Sequence, residues 1–183
     1  PPMPWDVKLA GWFDQRFEPL EKRRTYARLS RRQSATPHIP RPSYRYEEEA
    51  RAGRTFGVLL DTSGSMDRSL LAAALGAIAS YSAARDVDRV RVVFCDAAPY
   101  DQGYMEAADI AGSVRVRGRG GTVLQPGVEL LEQAKDFPRE APLLIITDCE
   151  CDRLNLYGRD HAFLVPRGRS LPFPPKGPVF YLE

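Results

Sequence analysis

The residues with the clearest potential for chemistry lie in one short segment. Asp61, Ser63 and Ser65 alternate along it, and Gly64 allows the chain to turn tightly between the two serines. Carboxylate and hydroxyl oxygens are hard ligands, which suit Mg²⁺ or Mn²⁺ and do not suit zinc, because zinc prefers nitrogen and sulfur. The segment is therefore a candidate site for a divalent cation. The alternative is that Ser63 or Ser65 caps a helix that follows.

One turn cannot supply all the oxygens that such a cation needs, since an octahedral site takes about six. Two further candidates stand elsewhere in the chain. Thr122 follows a pair of glycines, and Asp148 follows Thr147 at the end of the apolar run 143–146. We expect Thr122 and Asp148 to complete the site that begins at Asp61.

The elements that must position these residues alternate between strand and helix. Strands are predicted from apolar runs at residues 55–60, 89–95, 114–117, 143–146, 161–165 and 179–182. Helices are predicted at 65–85, 105–111 and 126–137. This alternation indicates an α/β fold, a mostly parallel sheet with helices on both faces. Ligands of such sheets bind outside the carboxyl ends of the strands, which is where Asp61, Asp96, Thr122 and Asp148 fall.

The first 54 residues differ in composition from the remainder. Residues 1–54 hold 12 basic and 7 acidic side chains, and the stretch 22–46 holds no acidic residue at all. One interpretation is a basic arm that binds nucleic acid. The other, which we favour, is a strap that begins with a helix near 7–17 and packs its aromatic residues on the body. We therefore predict a basic N-terminal arm at 1–54 and one domain at 55–183.

The spacing of the oxygen-bearing residues resembles a known metal site. The sequence has Asp61-x-Ser63-x-Ser65, then Gly120-Gly121-Thr122, then Ile145-Ile146-Thr147-Asp148. In order and context these follow the metal-ion-dependent adhesion site of von Willebrand factor A (VWA) domains, and the resemblance covers about 55–183. It implies a three-layer, Rossmann-like fold around one divalent ion, Mg²⁺ with Mn²⁺ or Ca²⁺ as alternatives.

The same resemblance implies a role for each residue of the site. Ser63, Ser65 and Thr122 are expected to bind the ion directly, while Asp61 and Asp148 act mainly through water. In VWA domains a remaining position is typically left for a carboxylate from a protein partner. The resemblance therefore implies a binding module rather than an enzyme, which captures an aspartate or glutamate of another protein.

Finer features resemble one bacterial subgroup. The segments Val93–Ala97, Gly118–Thr122 and Arg28–Arg32 look like the VWA-like domain called DUF2201, which follows a predicted metallopeptidase region. Such proteins tend to be associated with MoxR-type AAA+ ATPases, so an ATPase of this type is an implied partner. The chain departs from the expected pattern at Val123, where the subgroup leads us to expect an aspartate.

Other groupings of reactive residues carry less weight. Cys149, Cys151 and His161 provide only three of the four ligands that a zinc site needs, so we interpret the cysteines as ordinary thiols. The glycines at 118–121 lack the Lys-Ser/Thr of a phosphate-binding loop. Asp96 or Asp101 could place a second carboxylate beside the ion, as metal-assisted hydrolysis requires. No positioned base or nucleophile accompanies them, and Asp96 is more readily a rim residue that hydrogen-bonds its loop.

Several functions stay open at this point. The binding module is the leading hypothesis, and the alternatives are a metal-dependent hydrolase, the regulatory half of a metallopeptidase, or nucleic-acid binding through the arm. An odd count of three cysteines is no disulfide framework and indicates a reducing, cytoplasmic location. No run approaches the roughly 18 apolar residues of a membrane span. Because the chain begins with Pro1 rather than Met, we expect it to be part of a longer protein.

Overall fold

The fold is built on a mixed, mostly parallel β-sheet. A computed structural model of the protein describes residues 3–20, 23–25, 43–45, 51, 53–114 and 121–183. Within these residues, six strands form the main sheet in the order β5-β4-β3-β6-β7-β8, and β5 alone among them runs antiparallel. The strands are β3 (Gly57–Asp61), β4 (Val90–Cys95), β5 (Pro99–Met105), β6 (Leu143–Ile146), β7 (His161–Pro166) and β8 (Val179–Leu182). Two short strands, β1 (Arg23–Thr25) and β2 (Ser43–Arg45), form a separate antiparallel pair.

The sheet order has a functional consequence. From β3 the chain proceeds outward to β4 and β5 on one side, and then returns to place β6, β7 and β8 on the other side. The strand order therefore reverses between β3 and β6. In open α/β sheets the crevice at such a switch point, at the carboxyl ends of the strands, is where ligands bind.

Helices cover both faces of the sheet, as predicted. On one face lie α1 (Trp5–Asp14), α2 (Arg68–Ala84) and α3 (Ile110–Ser113), which enclose one apolar core with the sheet. The opposite face carries α4 (Gln125–Gln133) and the loop residues Leu154 and Leu156, which enclose a second core. The α/β architecture and its three layers are thus confirmed. Among the described residues, no helix combines the length and apolar character of a membrane span.

The first helix is an integral part of the larger core. Phe13 of α1 is fully buried, with its ring centroid 4.5 Å from that of Tyr81 and 4.7 Å from that of Phe56. The aromatic residues of this segment therefore pack on the body. Apart from β1 and β2, the basic stretch 22–46 lies outside the described residues, and the boundary between 54 and 55 stays a prediction.

The structure corrects the sequence-based elements in the middle of the chain. Residues 99–105 form β5, a strand that the sequence did not reveal because polar Asp101 and Gln102 and a glycine interrupt it at the exposed sheet edge. The predicted helix 105–111 is wrong over its first turn: a 3₁₀ turn occupies Ala107–Asp109, and α3 follows. Val114 belongs to no strand, and residues 115–117 of the strand predicted there lie outside the described residues.

Helix boundaries also shift, and one shift matters for the site. Helix α2 begins at Arg68, not at Ser65, because the Asp67 carboxylate accepts hydrogen bonds from the backbone N–H groups of Ser69 (2.8 Å) and Leu70 (3.3 Å). The cap of α2 is therefore Asp67, and the alternative that Ser63 or Ser65 caps this helix is wrong. Helix α1 spans 5–14 rather than 7–17, and α4 ends at 133 rather than 137.

Candidate metal centre

Asp61 is the centre of a hydrogen-bonded cluster at the switch point. It is the last residue of β3 and is fully buried. Its Oδ1 accepts hydrogen bonds from the Ser63 backbone N–H (2.9 Å) and the Thr122 hydroxyl (3.2 Å). Its Oδ2 accepts one from the Thr147 hydroxyl, at 3.0 Å. One carboxylate thus joins the ends of β3 and β6 to the loop that precedes α4.

The two serines face each other in the turn after β3. The hydroxyl oxygens of Ser63 and Ser65 lie 2.9 Å apart, Ser63 being buried and Ser65 exposed. The intervening backbone is held by Thr62, whose N–H and hydroxyl both donate to the Cys95 carbonyl, at 2.8 and 3.1 Å. Since Asp67 caps α2, neither serine hydroxyl is taken up by the helix.

Asp148 contributes the second buried carboxylate. It follows β6, is 2% exposed, and accepts a hydrogen bond at Oδ1 from the Glu150 backbone N–H, at 3.0 Å. Its Oδ2 is buried and has no hydrogen-bond partner within the described parts of the chain. An unsatisfied buried carboxylate oxygen is costly, so this atom needs a partner that the described side chains do not supply.

The electrostatics of the cluster are those of an acidic site. Burial raises the pKa of Asp61; the hydrogen bonds from Ser63 oppose this rise, and the neighbouring Asp148 carboxylate adds to it. No arginine, lysine or histidine of the described residues forms an ion pair with Asp61 or Asp148. Buried carboxylates are normally paired with a cation or bound to a metal. The cluster therefore fits a hard divalent cation.

The chemical types of the side chains in the cluster favour some metal ions over others. In the described ranges, no group of three or more His, Cys, Asp or Glu side chains forms a metal cluster. The oxygen donors that the cluster could offer to an ion are the two carboxylates and the hydroxyls of Ser63, Ser65 and Thr122. Oxygen donors of this kind suit Mg²⁺, Mn²⁺ or Ca²⁺ and not zinc.

Two residues that support the cluster were not assigned a role from the sequence. Thr147 is fully buried; besides donating to Asp61, its hydroxyl accepts a hydrogen bond from the Cys149 N–H at 3.1 Å. Asp152 accepts hydrogen bonds from the backbone of Leu124 and Gln125. The position of Thr147 before Asp148 was a usable signal. Asp152 carried none, because its partners lie 27 and 28 residues away in the chain.

The cysteines and His161 do not come together. His161 begins β7, at the opposite end of the sheet from Cys149, and its Nδ1 lies 2.7 Å from the Arg159 carbonyl, to which it donates. Burial raises the pKa of the Cys149 thiol to about 11 and that of Cys151 to about 12. Both cysteines are free, in agreement with their interpretation as ordinary thiols.

The two aspartates considered as extra carboxylates have other partners. Asp96 holds the rim: its Oδ1 accepts from the Ala98 N–H at 3.1 Å, and its carbonyl accepts from the Val123 N–H at 2.9 Å. Asp101 lies within β5 and forms an ion pair with Arg91. The suggestion that Asp101 stands beside the ion is therefore wrong, because its carboxylate is already occupied.

Comparisons with known proteins agree with this fold. Residues 56–174 match the family described as VWA-like domain (DUF2201). No curated protein sequence matches the chain. The crystal structure of an aerotolerance-related membrane protein from Bacteroides fragilis NCTC 9343, with multiple mutations to serines, is similar at 18% identity and a TM-score of 0.50, covering 66% of this chain and 73% of that chain. At this identity the likeness concerns the fold alone. The family match spans more than half of this chain, and the chain therefore belongs to the VWA-like domain (DUF2201) family.

Proposed function

We propose that this chain is a protein-interaction module in which the cluster around Asp61 holds one divalent cation, and that the cation binds a carboxylate of a protein partner. The observation that carries the proposal is the pair of buried carboxylates, Asp61 and Asp148, with one oxygen of Asp148 left without a partner in the described residues. A bound cation would neutralise both side chains. Membership in a VWA-like family supports the same interpretation.

The residues that would hold the ion are those of the cluster. Ser63, Ser65 and Thr122 would provide hydroxyl ligands, and Asp61 and Asp148 would provide negative charge. We take Mg²⁺ as the ion, with Mn²⁺ or Ca²⁺ as alternatives of the same ligand preference. The bound ion would supply a localised positive charge at the sheet edge, to which an aspartate or glutamate side chain is attracted.

Binding is a better proposal than hydrolysis for this site. Metal-assisted hydrolysis needs a base or an activated nucleophile near the ion. Within the described residues the histidine is His161, which lies at the other end of the sheet. The hydroxyls of Ser63, Ser65 and Thr122 are assigned to the ion. Those of Thr62 and Thr147 already donate hydrogen bonds to the Cys95 carbonyl and to Asp61. We therefore propose that the chain is not itself an enzyme.

We propose a MoxR-type AAA+ ATPase as the first partner to test, and the cytoplasm as the location. The ATPase is what the family resemblance suggests, and the free state of Cys95, Cys149 and Cys151 suits a reducing compartment. Neither a membrane nor a nucleic acid is part of the proposal.

A capture experiment tests the proposal. The immobilised chain is incubated with a MoxR-type ATPase in Mg²⁺, and the bound protein is measured before and after EDTA. EDTA, Asp61→Ala and Thr122→Ala are each expected to abolish capture. Thr122→Ser is the matched control: it keeps the hydroxyl and is expected to retain capture. Circular dichroism verifies that each variant is folded.

The outcomes separate the competing functions. Capture that persists in EDTA and in both alanine variants would contradict the proposal. Hydrolysis of a peptide or phosphoester by the isolated chain would favour the enzyme instead. Nucleic-acid binding that weakens steeply with salt, and is lost when Arg23, Arg24, Arg31 and Arg32 are neutralised, would favour the basic arm.

A further inference from the structure

We infer that Asp152 is a positioning residue that fixes the Thr122 loop against the Asp148 loop and thereby sets the affinity of the cluster for a divalent cation. Asp152 is not offered as a ligand. The inference rests on the proposed function, because it concerns the ion that the cluster is proposed to hold.

The contacts of Asp152 join the two loops directly. It lies four residues after Asp148, and its carboxylate reaches the start of α4, two residues after Thr122. Its Oδ1 accepts a hydrogen bond from the Leu124 N–H at 2.7 Å, and its Oδ2 accepts one from the Gln125 N–H at 3.1 Å. These are the N–H groups at the beginning of a helix, which have no partner within the helix itself.

Further contacts make the two loops one unit. Thr122 and Cys151 form a parallel β-bridge. The Gln125 side-chain oxygen accepts a hydrogen bond from the Asn155 N–H at 2.8 Å. Asp152 lies between Cys151 and Asn155 in the sequence. Of the residues that join the two loops, it is the one that brings a negative charge to the positive end of the α4 dipole. The position of the Thr122 hydroxyl relative to Asp148 therefore depends on Asp152.

Loss of this carboxylate is expected to act on the ion through Thr122. Without it, the Leu124 and Gln125 N–H groups lose their acceptor and the first turn of α4 loosens, so that Thr122 no longer has one fixed position beside Asp61. Residues that hold metal ligands in place typically change metal affinity by about 10- to 100-fold when they are removed. We expect a change of that size from Asp152→Ala.

A matched control exists at the other end of the sheet. The Asp14 carboxylate also accepts two hydrogen bonds, from the Tyr81 hydroxyl (2.9 Å) and from Arg85 Nε (2.7 Å). The Arg85 carbonyl accepts a hydrogen bond from the Arg54 side chain, and Arg54 lies just before the first residue of β3. Asp14 therefore lies at the end of the sheet away from Asp61, which is the last residue of β3. Asp14→Ala removes a carboxylate that accepts two hydrogen bonds, and it changes no contact of either loop of the cluster.

The experiment measures Mn²⁺ binding by the electron paramagnetic resonance signal of the free ion. The full 183-residue chain is compared with Asp152→Ala, Asp152→Asn and Asp14→Ala, and urea unfolding gives the stability of each. Asp152→Ala is expected to weaken Mn²⁺ binding by about 10- to 100-fold. Asp152→Asn, whose amide has one acceptor oxygen, is expected to fall between Asp152→Ala and the parent. Asp14→Ala is expected to lose stability and keep its Mn²⁺ affinity.

Each result decides the question. Unchanged affinity in Asp152→Ala overturns the inference and leaves the proposed function intact. An equal loss of affinity in Asp14→Ala also overturns it, since the affinity would then follow overall stability. A parent chain that binds no Mn²⁺ overturns the proposed function, and the inference with it.

Discussion

The two ends of the β-sheet treat buried charge in opposite ways. At the amino-terminal ends of the strands, Arg91 and Arg159 are 4% and 3% exposed, and each forms an ion pair, with Asp101 and Glu132 respectively. At the carboxyl-terminal ends, Asp61 and Asp148 are equally buried, and no cationic side chain of the described residues pairs with them. Within the described parts of the chain, the buried charges at one end are neutralised, and those at the other end are not.

This difference separates a structural role from a functional one. Removing a charge from water is costly unless a partner of opposite sign compensates for it. Arg91 and Arg159 have that partner in the folded chain, so their charges are compensated without any ligand. Among the described residues, Asp61 and Asp148 have no such partner, and they lie at the switch point of the strand order, where ligands of such sheets bind. The uncompensated end is therefore the end that we assign to function.

The largest expected effect comes from breaking the compensated end. Glu132→Ala leaves the Arg159 guanidinium buried, with the Pro138 and Ala141 carbonyls, each at 2.7 Å, as its remaining acceptors among the described residues. Breaking a buried ion pair in this way costs about 3 to 5 kcal/mol. Urea denaturation measures the loss. Glu129→Ala, one turn earlier on α4, is the control and is expected to cost below about 1 kcal/mol; an equal loss in the two variants would remove the contrast between the ends.

The next effect concerns the acidic end and its ion. Mg²⁺ at about 100 times its dissociation constant is expected to raise the free energy of unfolding of the parent by about 2.7 kcal/mol, because the ion binds only the folded state. Asp148→Asn removes one of the two buried charges, so the variant is expected to gain nothing from Mg²⁺ and to match or exceed the stability of the metal-free parent. Urea unfolding with and without Mg²⁺ measures both. A full Mg²⁺ response in Asp148→Asn would show that this carboxylate plays no part in holding an ion.

The smallest effect is a difference in pH dependence, measured in EDTA. Burial raises the pKa of Asp61 in the folded chain above its ordinary value of 3.8. The contribution of Asp61 to the free energy of unfolding therefore falls as the pH rises from 3.8 through the folded-state pKa. The hydrogen bond from Arg91 lowers the pKa of Asp101, whose contribution is complete above the unfolded value and is lost as the pH falls through the folded pKa.

The asparagine variants separate these two contributions. Relative to the parent, Asp61→Asn is expected to become more stable as the pH rises from 4 to 7, and Asp101→Asn to become less stable as the pH rises from 2 to 5. Urea denaturation at a series of pH values gives both trends. If the stability of both variants, relative to the parent, changed in the same direction with pH, the proposed difference between the two ends of the sheet would be contradicted.

The predictable part of the fold rests on its apolar runs. The strands β3, β4 and β6 are buried along their whole length, and each contains a run of large apolar residues, so they were recognised without difficulty. Strand β5 escaped because an edge strand needs few apolar residues and is held by its pairing with β4. The sequence carries little trace of a strand that is stabilised mainly by its neighbour.

The candidate site divides in the same way. Residue types and order along the chain pointed to Asp61, Ser63, Ser65, Thr122 and Asp148. The hydrogen bonds of Thr122 and Thr147 to Asp61 join residues 61 and 86 positions apart, and only the folded sheet brings them within reach. The identification of Asp67 as the cap of α2 also needed the structure, because the sequence pattern pointed only to Ser63 and Ser65 and to a helix that starts at Ser65 instead of Arg68.

The sequence by itself determined which chemical groups are available. These are a few oxygen donors, which follow apolar runs and occur in the same order as in a VWA domain. The tertiary structure decided which of those donors is already satisfied and which is not. Asp101 and Asp148 are alike as residues, yet one carboxylate pairs with Arg91 and the other keeps a buried oxygen without a described partner. The physical reason is that burial and pairing depend on neighbours distant in sequence, and these set the cost of a charge far more than the residue type does.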